Sequence, residues 1–184
     1  MSSWGTTDAN ENKPGYLTDV EKRSAYATTK GWVYPAAGND NPAADAEVLV
    51  AIGGLSGATG INIADISSVN WSVTSFSKAA GGKLSAVVNY NEQVDVTGTP
   101  RVRLTNSRGG NDFHLTYASG TGTNRLTFDL TLPADDATTN ATDVLTIGVN
   151  AVNHNGGSTI KEKGTITDAT ITHSAVSVTL TVAA

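Results

Sequence analysis

The stretch from Lys83 to Leu132 constrains the fold more than any other part of the chain. Four of its segments alternate apolar and polar residues with a period of two, and their apolar sets are Leu84, Ala86, Val88 and Tyr90; Val102 and Leu104; Phe113, Leu115 and Tyr117; and Leu126, Phe128, Leu130 and Leu132. Side chains of a strand point alternately to its two faces, so each segment predicts a strand with one buried and one hydrated face. Gly, Asn and Thr turns separate these segments, which is typical of an antiparallel sandwich.

Strand patterns continue beyond this stretch and predict that the sandwich covers residues 65–184. The predicted strands are 66–76, 83–91, 99–106, 112–118, 124–132, 144–151 and 175–183, with a further edge or hairpin in 158–172. The last two of the seven have inward sets of their own: Leu145, Ile147 and Val149, then Val176, Val178, Leu180 and Val182. Trp71 is expected in or beside the core. Strands in this number predict an all-β, immunoglobulin-like antiparallel β-sandwich.

Residues 1–47 differ from the rest and predict an extended N-terminal arm that carries one short helix. Thr18 and Glu21 have the spacing of a capping box, so a helix of two or three turns is expected to follow. A helix that short is marginal in water without a surface to lie on. A short, buried type of strand begins at Glu47 and ends at Gly53 and Gly54, and residues 48–64 form this strand and a linker.

Aromatic residues at wide spacing mark the arm. Trp4, Tyr16, Trp32 and Tyr34 are the candidate anchors, because aromatic side chains carry much of the binding energy of an interface. Two interpretations stay open: the arm docks on another molecule, or its aromatic side chains pack against the sandwich of the same chain.

Composition excludes several classes of function. The formal net charge is −5 and there is no basic run, so nucleic-acid binding through phosphate neutralisation is not expected. The chain has no cysteine, which excludes disulfides, thiolate metal sites and a cysteine nucleophile. No secretory signal or membrane-spanning run is recognised, so we expect synthesis in a host cytoplasm and no membrane partner.

Residues 83–151, somewhat more than a third of the chain, contain two motifs of known modules. The first comprises Tyr90, Glu92, Val94, Val96, Gly98 and Pro100, and the second Tyr117, Ser119, Gly120, Gly122, Leu126 and Phe128. Their order resembles the bacterial immunoglobulin-like and cadherin-like modules of surface and phage proteins. The resemblance implies a fold and says little of function, because this fold is grafted into many roles.

The N-terminal segment is similar to the leader of virion structural proteins of marine tailed phages, cyanophages in particular. The residues that carry this likeness are Trp4-Gly5, Asp8, Pro14, Tyr16-Leu17, Lys30-Gly31-Trp32-Val33 and Val50-Ala51-Ile52-Gly53-Gly54. It implies a non-enzymatic virion protein, most plausibly a head decoration protein that docks on the capsid through its arm. The partners expected are the major capsid protein or other virion proteins, a second copy of the chain, or a host-surface glycan. Alternatives are a tail, neck or fibre component, or a carbohydrate-binding or adhesion module.

Residues with chemical potential lie mostly in turns. Asp135, Asp136 and Asp143 are a weak Ca²⁺ candidate, because carboxylates in an inter-strand loop can ligate that ion, yet Asp and Asn are also ordinary turn formers. Arg101 and Arg103 share the outward face of one strand, with Arg108 in the adjoining turn, and this trio is a candidate contact face or a solvated one.

Three histidines, His114, His154 and His173, fit no metal-binding pattern. No nucleophile elbow occurs either. We therefore expect neither a catalytic residue nor a cofactor.

Overall fold

The computed structural model describes residues 13–28, 30–34, 46–52, 63–109, 113–174 and 177–184. Within these ranges it contains one helix and thirteen strands: α1 (Asp19–Ser24), β1 (Tyr26–Thr28), β2 (Gly31–Tyr34), β3 (Glu47–Ala51), β4 (Ile66–Trp71), β5 (Phe76–Ser77), β6 (Gly82–Thr97), β7 (Arg101–Asn106), β8 (Phe113–Ser119), β9 (Thr123–Leu132), β10 (Val144–Ile147), β11 (Val152–Asn153), β12 (Thr159–Glu162) and β13 (Val178–Ala183). The strands form a small N-terminal sheet and a ten-stranded sheet.

The ten-stranded sheet is built around β6, the longest strand. Its first half pairs antiparallel with β4 on one side and β9 on the other, and its second half pairs with β12. From β9 the sheet continues through β8, β7, β10 and β13 to β5, and β11 also pairs with β7. Every pair is antiparallel except the one between β13 and β5. Among the described strands, only β7–β8 and β8–β9 pair as successive strands, and the other pairs of this sheet join strands that are separated in the chain.

The inward faces of these strands enclose one hydrophobic core. The sets with period two in β6, β7, β8 and β9 line it, with Tyr117 and Leu130 half-buried at its margin. Leu145 and Ile147 of β10 and Leu180 and Val182 of β13 complete it. Trp71 packs against this core from β4, and its Nε1 donates to the carbonyl oxygen of Val178 at 3.3 Å. That bond ties β4 to β13, strands that lie far apart in the order of the sheet. The predicted all-β sandwich is confirmed, and its immunoglobulin-like assignment stays a prediction.

The N-terminal region folds as a three-stranded sheet in the order β1-β2-β3. Trp32 and Ala27 are its buried core, and Val50 and Ile52 pack against them. Gly31 permits the close approach of β2 and β3: its φ is +127°, and a Cβ there would lie 2.0 Å from the carbonyl oxygen of Val50. The small sheet lies against β6 through β1.

Three sequence expectations for this region differ from the structure. The arm is not extended throughout, because β1, β2 and β3 form a sheet, and the expected boundary between residues 47 and 48 lies inside β3. The strand expected to be of a buried type is present as β3, but its residues are exposed or half-buried. Among the described strands β3 pairs only with β2, so it lies at the edge of its sheet.

Val149 was also expected to face inward, but it is exposed. Strand β10 ends at Ile147, and residues 149–150 form a turn in which the alternation of a strand no longer applies. In the last strand, Val178 is half-buried and Leu180 and Val182 are buried as expected. Val176 lies outside the described residues.

Candidate interaction surfaces

Helix α1 lies on the surface of the N-terminal region and buries none of its own side chains. Tyr16, in the turn before the helix, is 65% exposed, and Val20, in its first turn, is 70% exposed. The expected capping box is present: Thr18 Oγ1 accepts from the Glu21 backbone amide at 3.3 Å, and Glu21 Oε2 accepts from the Thr18 backbone amide at 2.8 Å. These bonds to Thr18 hold the pKa of the Glu21 carboxyl below its usual value. The capped helix and the turn before it thus present Val20 and Tyr16 to solvent.

The other candidate anchors are placed differently. Trp32 is fully buried within the small sheet, so its indole belongs to the core of this chain and not to its surface. Tyr34 ends β2 half-buried. Trp4 lies outside the described residues. Trp32 therefore packs within its own chain, as the second interpretation expects. It packs in the small N-terminal sheet, however, and not against the sandwich.

Tyr26 connects the small sheet to the sandwich. It is buried at the start of β1, and its hydroxyl is hydrogen-bonded to the side chain of Gln93 in β6. Burial raises the pKa of this hydroxyl, and the bond to Gln93 acts in the opposite direction. Since helix α1 is joined to β1 by Ala25 alone, this contact also fixes where the helix lies on the sandwich.

Lys13 is a functional candidate that sequence reasoning missed. Its side chain is only 3% exposed, its Nζ donates to the Lys22 carbonyl oxygen at 2.6 Å, and the same nitrogen lies 5.7 Å from the centre of the Trp32 ring. From the sequence, a lysine five residues before a capping box is expected to be solvated. Its contact with the last turn of the helix depends on the tertiary fold.

The three arginines are engaged within the sandwich to different degrees. Arg101 and Arg103 lie on one face of β7, opposite Thr116 and His114 of β8, as expected. In the amide orientation that satisfies both groups, Asn155 Oδ1 accepts from Nε and Nη2 of Arg101, each at 3.2 Å. Much of the donor capacity of Arg101 is therefore used inside the chain.

The side chain of Arg108 contacts the loop of residues 133–143. Its Nη2 donates to the Thr138 carbonyl oxygen at 3.2 Å, and its Nε lies 3.5 Å from Asp143 Oδ2. The structure thus brings Arg101 and Arg103 to one face but assigns Arg108 to a loop contact.

Asp143 organises this loop. Its carboxylate is nearly buried, and Oδ2 accepts from Asn106 Nδ2 and from the Asn140 backbone amide, both at 2.8 Å. The bond from Asn106 is the largest of the effects that hold the pKa of the Asp143 carboxyl below its usual value. Lys78 adds a further tie, since its Nζ donates to Asn140 Oδ1 at 3.1 Å. The loop is therefore fixed by a polar network that joins β5, β7 and β10.

The same network occupies the carboxylates of the weak Ca²⁺ candidate. Asp136 Oδ1 accepts from the backbone amide and the hydroxyl of Thr138, which lowers the pKa of its carboxyl, and Asp135 is exposed with φ of +56°. Within the described ranges no three side chains of the types His, Cys, Asp and Glu come together as metal ligands. Asp136 and Asp143 lie in an ordered turn, and their carboxylates serve as acceptors for the chain itself.

Of the histidines, His173 is the one that the fold encloses. Its Nε2 accepts from the Ala151 backbone amide at 3.2 Å, so its neutral form carries the proton on Nδ1. Burial lowers the pKa of this imidazole. His114 lies on the outward face of β8, opposite Arg103. His173 is thus a structural acceptor that the sequence pattern did not reveal.

No family model matches the chain, and neither a curated protein nor a solved structure matches it. The resemblances to immunoglobulin-like modules and to phage virion leaders therefore rest on the motifs alone. Across the described ranges no helix is long and apolar enough to cross a membrane.

Proposed function

We propose that this chain is a non-enzymatic structural protein of a phage virion, a head decoration protein that attaches through its N-terminal region and displays the sandwich outward. The expected partner is the major capsid protein, and the protein is expected to reside in the virion after synthesis in the host cytoplasm. The observation that carries the proposal is the pair Tyr16 and Val20. Both side chains are exposed, Tyr16 in the turn before a capped helix and Val20 in the first turn of that helix, which buries no side chain of its own.

The physical argument starts from what such a helix gains by staying folded. Six helical residues have too few hydrogen bonds to be stable alone in water. The chain nevertheless fixes α1 with a capping box at its start and a lysine at its end, while Tyr16 and Val20 remain in water. A backbone that is already fixed in one conformation loses little conformational entropy on binding, which favours affinity. This surface is therefore suited to contact a partner.

The sandwich is suited to display. Its aromatic residues Phe113, Tyr117 and Phe128 face the core or its margin, and Tyr117 packs edge-on against Phe128 with ring centroids 5.9 Å apart. The Arg101 and Arg108 side chains are tied to Asn155 and to the loop of residues 133–143. These contacts favour the N-terminal surface over the arginine face as the site of attachment.

The test is co-sedimentation of the purified chain with phage heads that lack it. The variant Tyr16→Ser with Val20→Ser removes the apolar surface at exposed positions, where substitution changes stability little. The matched control is Ile166→Ser, which removes an apolar side chain that is 89% exposed in the hairpin after β12. We expect wild type and control to sediment with heads and the double variant to bind at least about tenfold more weakly.

Equal binding by the double variant would refute attachment through this surface and return Arg101 and Arg103 to consideration. Absence of binding by the wild-type chain would refute the head location. The same assay with tails would then test the alternative of a tail, neck or fibre component.

A further inference from the structure

Lys13 has an unusual environment for a lysine near the beginning of a chain. Its side chain is nine-tenths or more buried, and its ammonium group contacts both α1 and β2. One contact is with the carbonyl oxygen of Lys22 in the last turn of α1, at 2.6 Å, and the other is with the indole of Trp32 in β2, whose centroid is 5.7 Å away.

Both contacts are of kinds that compensate a buried charge. The last four carbonyl groups of a helix have no partner within the helix, and a lysine ammonium is a suitable donor to them. A cation over the face of a tryptophan is attracted by the ring quadrupole, and more strongly where water is excluded. Burying an ammonium group without such partners would be strongly unfavourable. The position of Lys13 is therefore specified by the helix end and the indole together.

We propose that Lys13 is a positioning residue: it locks the end of helix α1 to the Trp32 core and so holds Tyr16 and Val20 in the geometry that binds the particle. This inference rests on the proposed function for its consequence, although the lock itself belongs to the free protein. It assigns Trp32 an indirect part in attachment. The indole supports the helix from within, and Tyr16 and Val20 make the contact.

The first test uses the free protein. The variant Lys13→Met keeps an apolar stem and removes the ammonium group, and Lys22→Met is the matched control, because it removes a charge from the same region and leaves the Lys22 carbonyl in place. Hydrogen exchange is followed by NMR at the amides of Lys22 and Ala25, which donate to Thr18 and Glu21 in the helix. We expect exchange to accelerate about tenfold in Lys13→Met, as for the loss of one charge-assisted hydrogen bond, and to change little in the control.

Unchanged exchange in Lys13→Met would overturn the inference. So would equal acceleration at Val33 of β2, since Lys13 would then support the whole small sheet and not the helix in particular.

The second test joins the lock to attachment through a cycle of variants in the co-sedimentation assay. Lys13→Met should weaken binding to heads about fivefold or more in the wild-type background. It should add nothing further in the background of Tyr16→Ser with Val20→Ser, because the surface that it positions is gone. An additive loss would contradict a positioning role. If Lys13→Met accelerates exchange in α1 but keeps wild-type affinity for heads, the positioning role of Lys13 is supported. Attachment through α1, which is the proposed function, is then refuted.

Discussion

Replacing Trp32 by Ala separates the two folded parts of the chain. The indole is fully buried in a small sheet whose remaining apolar core consists of Ala27, Val50 and Ile52. Removal of a buried aromatic side chain costs about 3–5 kcal/mol. The same sheet also buries Tyr26 and Val33, but a three-stranded sheet is marginally stable and the indole is its largest buried side chain. We therefore expect β1, β2 and β3 to unfold in Trp32→Ala while the sandwich stays folded.

The assay is hydrogen exchange read by mass spectrometry on peptides from the two parts. In Trp32→Ala the described segments 26–28, 30–34 and 46–52 should exchange as fast as an unfolded chain, and peptides from β6 and β9 should keep their protection. The comparison variant is Trp71→Ala, which removes a half-buried indole at the sandwich core and its bond to the Val178 carbonyl oxygen. It should lower the stability of the sandwich by about 2 kcal/mol, or the Tm by about 4–8 °C.

Two results would refute this reasoning. Retained protection in β2 and β3 of Trp32→Ala would mean that other contacts hold the small sheet. Loss of protection in β6 and β9 would mean that the two parts unfold as one unit.

Three further predictions concern the sandwich. Asp143→Ala should lower the unfolding free energy by about 1–3 kcal/mol in denaturant titrations, because it leaves buried donors without their acceptor, and an unchanged midpoint would contradict this role. Burial lowers the pKa of His173, so the folded protein favours the neutral imidazole. The stability that this imidazole contributes is complete above the unfolded pKa of about 6.5 and is lost as the pH falls below that value. The Tm should therefore fall between about pH 7 and pH 5, and His173→Gln, which keeps an acceptor for the Ala151 amide, should flatten that fall; equal slopes would count against it. Gly120→Ala should cost more than about 1 kcal/mol by thermal unfolding, since its φ is +115° and a Cβ would lie 2.1 Å from the Arg125 carbonyl oxygen, and a neutral effect would contradict the geometry.

The sandwich could be predicted from the sequence because its information is local. The alternation in Leu84, Ala86 and Val88 of β6 and in Leu126 and Phe128 of β9 states directly which side chains are buried, and the structure places all of them in one core. The capping box of α1 is equally local, since its two partners are three residues apart. Such patterns do not depend on which strands become neighbours.

The small sheet and the polar contacts could not be predicted in the same way. Trp32 is buried in part because β3 pairs with β2. The sequence near Trp32 does not specify that pairing. Asp143 draws its buried partner from Asn106, thirty-seven positions away. Lys13 meets the end of α1 only once the helix has folded. Each is a product of long-range topology.

We propose that the N-terminal region attaches the chain to a phage head and that the sandwich points outward. A cryo-electron microscopy difference map between heads with and without the added protein would locate both parts. We expect extra density on the head surface, with Tyr16 and α1 against the shell and the β6–β9 sandwich farther out. Absence of extra density, or density in which the sandwich contacts the shell and α1 faces solvent, would contradict it.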